Sequence, residues 1–188
     1  MTIRTLAAFS AATLALAACG PKNQNPSAET NAAMSDALNE ATAAPALSAG
    51  QSFANGAAAS DSFEIGSSKL AIANSSSAAI KSFAQKMIDA HTGSTAKLKA
   101  AAAQATPPIT PDPTLSAEQQ AKLDALKAKT GSDFDHGYMD AQIAGHQAAL
   151  ALLNSYAGTG DVPSLTSFAS ALVPTVTAHL NMAKGLKP

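Results

Sequence analysis

The sequence predicts an all-α fold, a four-helix bundle made of two helical hairpins joined by one long crossover that carries a short helix. Three observations lead there. From residue 50 onward the apolar residues recur with a period of 3.6, and no stretch sustains the alternation of a strand. Roughly a quarter of the residues are Ala, which favours helix and adds little bulk per residue. A single proline-rich stretch, TPPITPDPT, interrupts the helical region and divides its helices into two pairs.

The first helix is expected over roughly 51–75, stopping at Asn74-Ser75-Ser76-Ser77, where short polar side chains compete for backbone hydrogen bonds. The second is expected over about 78–104, with Ile80, Phe83, Ala84, Met87, His91 and Leu98 on one side, ending before the prolines. Ser116-Ala-Glu-Gln119 reads as a capping box opening a short helix over about 117–129. Gly131 is expected to end that helix, and Ser132 to cap a long third helix over about 133–157. Gly158-Thr-Gly160 closes the third helix, and Asp161 with Pro163 starts the fourth, which runs to about 185. Pro174 lies inside the fourth helix and predicts a kink. A crossover of about 28 residues between two hairpins is the connectivity of ferritin-like bundles.

Composition excludes several function classes. The chain has 188 residues, of which 46% are hydrophobic and 13% charged, with a formal net charge of −1. That balance lacks the clustered Lys and Arg that nucleic-acid binding needs, so no nucleic-acid partner is expected. With one cysteine there is no intrachain disulfide and no multi-cysteine zinc or iron–sulfur site. Neither nucleotide fingerprint, G-x-G-x-x-G or G-x-x-x-x-G-K, occurs. No Ser or Cys has a matching base at a recognisable motif spacing.

The N-terminus carries an address. Residues 1–18 read as a secretory signal, with one Arg, a short apolar stretch and small residues before Cys19. The stretch from Leu6 to Ala18 falls short of the roughly 20 residues that span a bilayer. Leu16-Ala17-Ala18-Cys19 resembles the bacterial lipobox, which makes Cys19 the lipidated first residue of the mature chain and the membrane a partner through its acyl chains. The resemblance to bacterial lipoproteins further implies the outer membrane, with the protein facing the periplasm, because Gly20 stands where those kept at the inner membrane have Asp. Residues 19–48 are polar and Ala-rich without aromatics, a flexible tether. The bundle is then expected over residues 49–188.

The polar residues on the apolar stripes are the candidate site. Glu64 shares a face with Phe53, Ala57 and Ala71; His91 with Ile80, Ala84, Met87 and Leu98; His179 with Phe168, Leu172 and Val176. On the third helix Asp135, Tyr138, Gln142 and His146 form one stripe. At 1.5 Å per residue, Glu64, His91, His146 and His179 all lie roughly 20–24 Å from a helix end, near the middle of the bundle. Three imidazoles and a carboxylate at one level suit a transition-metal ion such as Zn, Cu or Fe, with Asp135, Tyr138 and Gln142 as supporting residues. The same residues also make sense as a hydrogen-bonded polar core without an ion. There is no Glu-x-x-His and there are few carboxylates, which argues against a di-iron centre. Asp89 and His136 are expected on the surface, and Asp133 with Asp135 occupies the first turn of the third helix, where acids favour the helix dipole.

Four blocks of the chain resemble the bacterial envelope family called domain of unknown function 4142, whose members are labelled outer-membrane proteins. They are Glu64-Ile65-Gly66 with Leu70-Ala71; Phe83-Ala84-Gln85-Lys86-Met87-Ile88-Asp89-Ala90-His91-Thr92; Phe134-Asp135 with Tyr138, Gln142 and His146; and Phe168-Ala169 with Leu172-Val173-Pro174 and His179-Leu180. The resemblance implies a ferritin-like helical fold in the bacterial envelope and no particular chemistry. Ala90 stands where the family usually has an acid, so no role for that acid carries over. Three functional readings stand at this point. One is a non-enzymatic, lipid-anchored envelope protein whose Glu/His cluster binds a metal ion or a protein partner. The others are a ferritin-like metal-handling or redox protein, and a structural or stress-related envelope lipoprotein.

Overall fold

The computed structural model describes residues 46–186. The expected signal, Cys19 and all but the last three residues of the expected tether lie outside the described residues. Five helices make up the described region: α1 (Ala49–Asn74), α2 (Ala78–Ala102), α3 (Ala117–Lys127), α4 (Gly131–Thr159) and α5 (Pro163–Gly185). Among the described residues there is no strand, and no helix is long and apolar enough to cross a membrane.

Local chemistry sets the ends. Ser48 and Ser77 cap α1 and α2, each side chain accepting from a backbone N–H of the first turn. The expected capping box on α3 is present, with Ser116 and Gln119 each accepting from the other's backbone N–H. The start of α4 differs from expectation. Gly131 begins this helix instead of ending the previous one, with φ +57°, a conformation open to glycine. Its N-cap is Thr130, with no side-chain cap bond, and Ser132 lies one residue inside the helix. Pro163 opens α5, where its missing N–H costs nothing. Asp161 does not cap α5 and instead accepts a hydrogen bond from the Tyr156 hydroxyl at 2.8 Å. Pro174 sits within α5 on its exposed side, and the helix continues through it.

Cross-helix pairs give the topology. Ser68 meets Tyr138, Ser67 meets Gln142 and Phe53 stacks on Tyr156, so α1 and α4 run antiparallel. Ser164 donates to the carbonyl of Ala101, and His91 lies by His179, so α2 and α5 also run antiparallel. The connection between the hairpins returns along α1. Gln51 donates to the carbonyl of Thr110, and Asn55 accepts from the backbone N–H of Asp112. Further on, Leu123 of α3 packs where Gly66 leaves room.

The core is divided along the bundle axis. One apolar block holds Phe53, Leu98, Leu153, Tyr156, Leu165 and Phe168. The other holds Ile80, Phe83, Met87, Phe134, Tyr138 and Met139. Between them lies a buried polar layer with Asp61, Glu64, His91, Gln142, His146 and His179. A layer of this kind is costly to bury unless its groups are paired with one another or with a ligand.

Candidate metal centre

Each of the four long helices delivers one or two of these residues because a polar side chain replaces an apolar one on its inward stripe. His91 on α2, His146 on α4 and His179 on α5 are all buried, the first 5%, the second 1% and the third 8% exposed. Their rings form a near-equilateral triangle, with centroids 5.6, 5.6 and 5.8 Å apart. One nitrogen from each lies within 4.8 Å of the other two. Around a single ion, with bonds of about 2.0–2.1 Å, nitrogens stand about 3.3–3.6 Å apart. The triangle reaches that spacing by small ring movements.

Hydrogen bonding decides which nitrogen each ring presents. His91 Nδ1 lies 2.8 Å from Asp61 Oδ1, and His146 Nδ1 lies 2.8 Å from the carbonyl of Gln142. Both partners can only accept, so both Nδ1 atoms carry a hydrogen and Nε2 is left to the interior. Those two Nε2 atoms, with Nδ1 of His179, are buried without a hydrogen-bond partner. A ligating histidine has this arrangement, one nitrogen donating to an oxygen and the other free. Such orphaned buried nitrogens fit a metal ion, whereas a self-sufficient polar core would pair them.

Glu64 stands beside the triangle. Its Oε1 is 3.6 Å from His146 Nδ1, outside hydrogen-bonding range, and both carboxyl oxygens lack a partner. Burial pushes its carboxyl up to about 7, against the pull of His91. Burial also pushes His146 and His179 down to about 4, with the neighbouring His91 adding to the effect in both. His91 goes the other way. Burial opposes its charge, but the hydrogen bond to Asp61 and the nearby Glu64 outweigh it and raise the imidazole above its ordinary value. His91 is thus the one imidazole whose charged form its neighbours favour, whereas burial favours the neutral form of the other two.

The supporting residues inferred from the third-helix stripe are placed as follows. The backbone of Gln142 orients His146, and its Nε2 donates to Ser67 Oγ at 3.1 Å. The Tyr138 hydroxyl pairs with Ser68 Oγ at 2.9 Å, and burial pushes its acidity well down. Asp135 is buried with Oδ1 unpartnered, but at 1.5 Å per residue it stands roughly 16 Å along α4 from His146. Asp89 and His136 are exposed, as their positions off the stripes suggested, and Asp133 in the first turn of α4 is exposed too. Sequence reasoning missed Asp61, which is 5% exposed and directly bonded to His91. A signal existed, because Ala54, Ala57, Asp61, Glu64, Ser68 and Ala71 alternate in steps of three and four along one seam.

The family model described as "Domain of unknown function (DUF4142)" matches residues 35–186. The solved structure of CopM in the Cu(I)-bound form resembles the chain with a TM-score of 0.60 at 17% identity, covering 74% of this chain and 95% of that one. At that identity the likeness is one of fold. No curated protein matches the chain.

Proposed function

The chain belongs to the DUF4142 family, and we propose that this member is a lipid-anchored, non-enzymatic envelope protein that holds one transition-metal ion between His91, His146 and His179. The observation that carries the reading is that each of the three rings keeps one nitrogen buried and unpartnered, while one nitrogen of each lies within 4.8 Å of the other two rings'. Glu64 has both oxygens free but approaches His146 from its Nδ1 side, so in this reading its carboxylate would serve as a fourth donor only by turning towards the triangle. Such a site would supply a firmly held ion; three imidazoles suit copper, zinc and iron alike. Copper is the ion to test first, since a protein of similar fold is known in a Cu(I)-bound form. The anchor in this reading is Cys19, which would keep the site at the outer membrane, facing the periplasm.

The test is elemental analysis of residues 49–188 purified without an affinity tag or chelator. About one transition-metal ion per chain is expected, and its loss in a His91→Ala/His146→Ala variant would locate it. A folded, metal-free domain that also refuses added Cu, Zn and Fe would leave the cluster as core architecture.

A further inference from the structure

The orphaned atoms of the centre face one another, and the satisfied ones show what holds them in place. Both oxygens of Asp61 are engaged, unlike those of Glu64. Oδ1 accepts from His91 Nδ1 at 2.8 Å, and Oδ2 lies 3.0 Å from Thr95 Oγ1, whose one hydrogen it shares with the carbonyl of His91 at 2.9 Å. Asp61 sits on α1, whereas His91 and Thr95 lie one turn apart on α2, so the carboxylate clamps the hairpin at the level of the triangle. Next to the pair is a cavity of about 20 Å³ lined by Asp61, His91, Ser94, Leu153, Leu172 and Val176 among others. That is room for about one water. Packing is therefore incomplete on that side of Asp61, and its two hydrogen bonds fix its position.

The three histidines are supported unequally. His91 has a carboxylate and His146 a backbone carbonyl, whereas His179, whose inward nitrogen is Nδ1, has no hydrogen bond among the described residues to hold its ring. A carboxylate fixes the ring and its tautomer as a carbonyl does, and its negative charge also strengthens the other nitrogen as a donor.

We infer that Asp61 is the positioning residue of the centre, acting through His91 to set which nitrogen is presented and how strongly it holds a transition-metal ion. The inference rests on the metal-binding reading above and deepens it. Asp61 touches no ion itself, and Thr95 holds it from behind.

The experiment titrates the purified protein with Co²⁺, whose visible ligand-field bands report both affinity and donor geometry. Asp61→Ala is expected to weaken Co²⁺ binding by about 10–100-fold and to change the bands, with its circular dichroism unchanged. Asp61→Asn keeps an acceptor for His91 Nδ1 but loses the charge, and should fall between wild type and Asp61→Ala. Should Asp61→Ala not fold, Thr95→Val serves instead, removing the second bond to the carboxylate. A smaller loss of affinity with the same direction of band change is expected there. Wild-type affinity and bands in the folded variants, alongside lost binding in His91→Ala, would overturn the role of Asp61 and leave the metal site standing. A wild-type protein that takes up no Co²⁺ and no Cu⁺ or Zn²⁺ would overturn both.

Discussion

Oε1 of Glu64 occupies the space that a Cβ on Gly145 would need. The carboxyl of α1 thus reaches the backbone of α4 one residue before His146, and only a glycine at 145 admits it. In an exposed helix interior, Gly→Ala gains up to about 1 kcal/mol from helix propensity. Here Gly145→Ala is expected to destabilise by about 1–3 kcal/mol, because the Glu64 carboxyl must leave its place. The double variant Glu64→Ala/Gly145→Ala should recover much of that loss. Urea unfolding of the two single variants and the double variant measures the coupling, and simple additivity would show that the two residues do not share the space.

The same carboxyl makes the metal-free domain sensitive to pH. With its folded-state pKa raised to about 7 from 4.5, Glu64 favours folding in its protonated form, so its contribution is lost as pH rises from 4.5 through 7. His146 and His179 act in the opposite sense. Lowered to about 4, they favour folding as neutral rings, and their contribution is lost as pH falls from 6.5 towards 4. Metal-free stability should therefore peak between about pH 6 and 7. Glu64→Gln mimics the protonated form, so it should gain on the wild type as pH rises from 5 to 8, by up to about 3 kcal/mol. Unfolding curves at the two pH values check this, and parallel wild-type and variant profiles would show that Glu64 does not titrate in this window.

Much of the fold was legible because its signals are local. Capping serines, a proline-rich crossover and one apolar stripe per helix place five helices with ends within about two residues, the usual scatter at helix termini. The start of α4 was misread because Ser132 looks like a cap, while the turn is made by Gly131 at positive φ. The three histidines were legible because each is the strongly polar member of an inward stripe. Asp61 was not. A stripe followed in steps of four and seven from Phe53 through Ala57, Glu64 and Ala71 traces one edge of the α1 seam, and Asp61 lies on the other edge. Stripes also fix a face and not a reach. The lean of Glu64 towards Gly145 depends on α4 coming close enough, which no single helix encodes.

The proposed membrane anchor makes a separate prediction, carried by Leu16-Ala17-Ala18-Cys19. Several acyl chains on Cys19, each contributing about 0.8 kcal/mol per buried CH₂, hold a protein firmly. Cys19→Ser should move the protein from the membrane pellet to the soluble fraction. Retention in the pellet would show that something other than acylation holds it. Removing residues 20–45, which keeps the Ser48 cap of α1, should leave the melting temperature of the bundle unchanged.

His179 separates a site kept for function from a core kept for stability. Its Nδ1 is buried without a partner, and burial pushes its pKa down to about 4. An unsatisfied buried polar group costs about 1–3 kcal/mol, and an apolar side chain of similar size escapes that cost. His179→Leu is therefore expected to stabilise the metal-free domain by about 1 kcal/mol while abolishing binding of Cu⁺ and Zn²⁺. If the histidines were there to fix helix register through a polar network, the same change should lower stability and leave a domain with broadened, mobile side-chain signals. Thermal melting with and without metal, read together with a one-dimensional proton spectrum of the methyl region, separates the two. Higher stability with binding lost means that the folded chain carries His179 at a cost, and what offsets that cost is the ion.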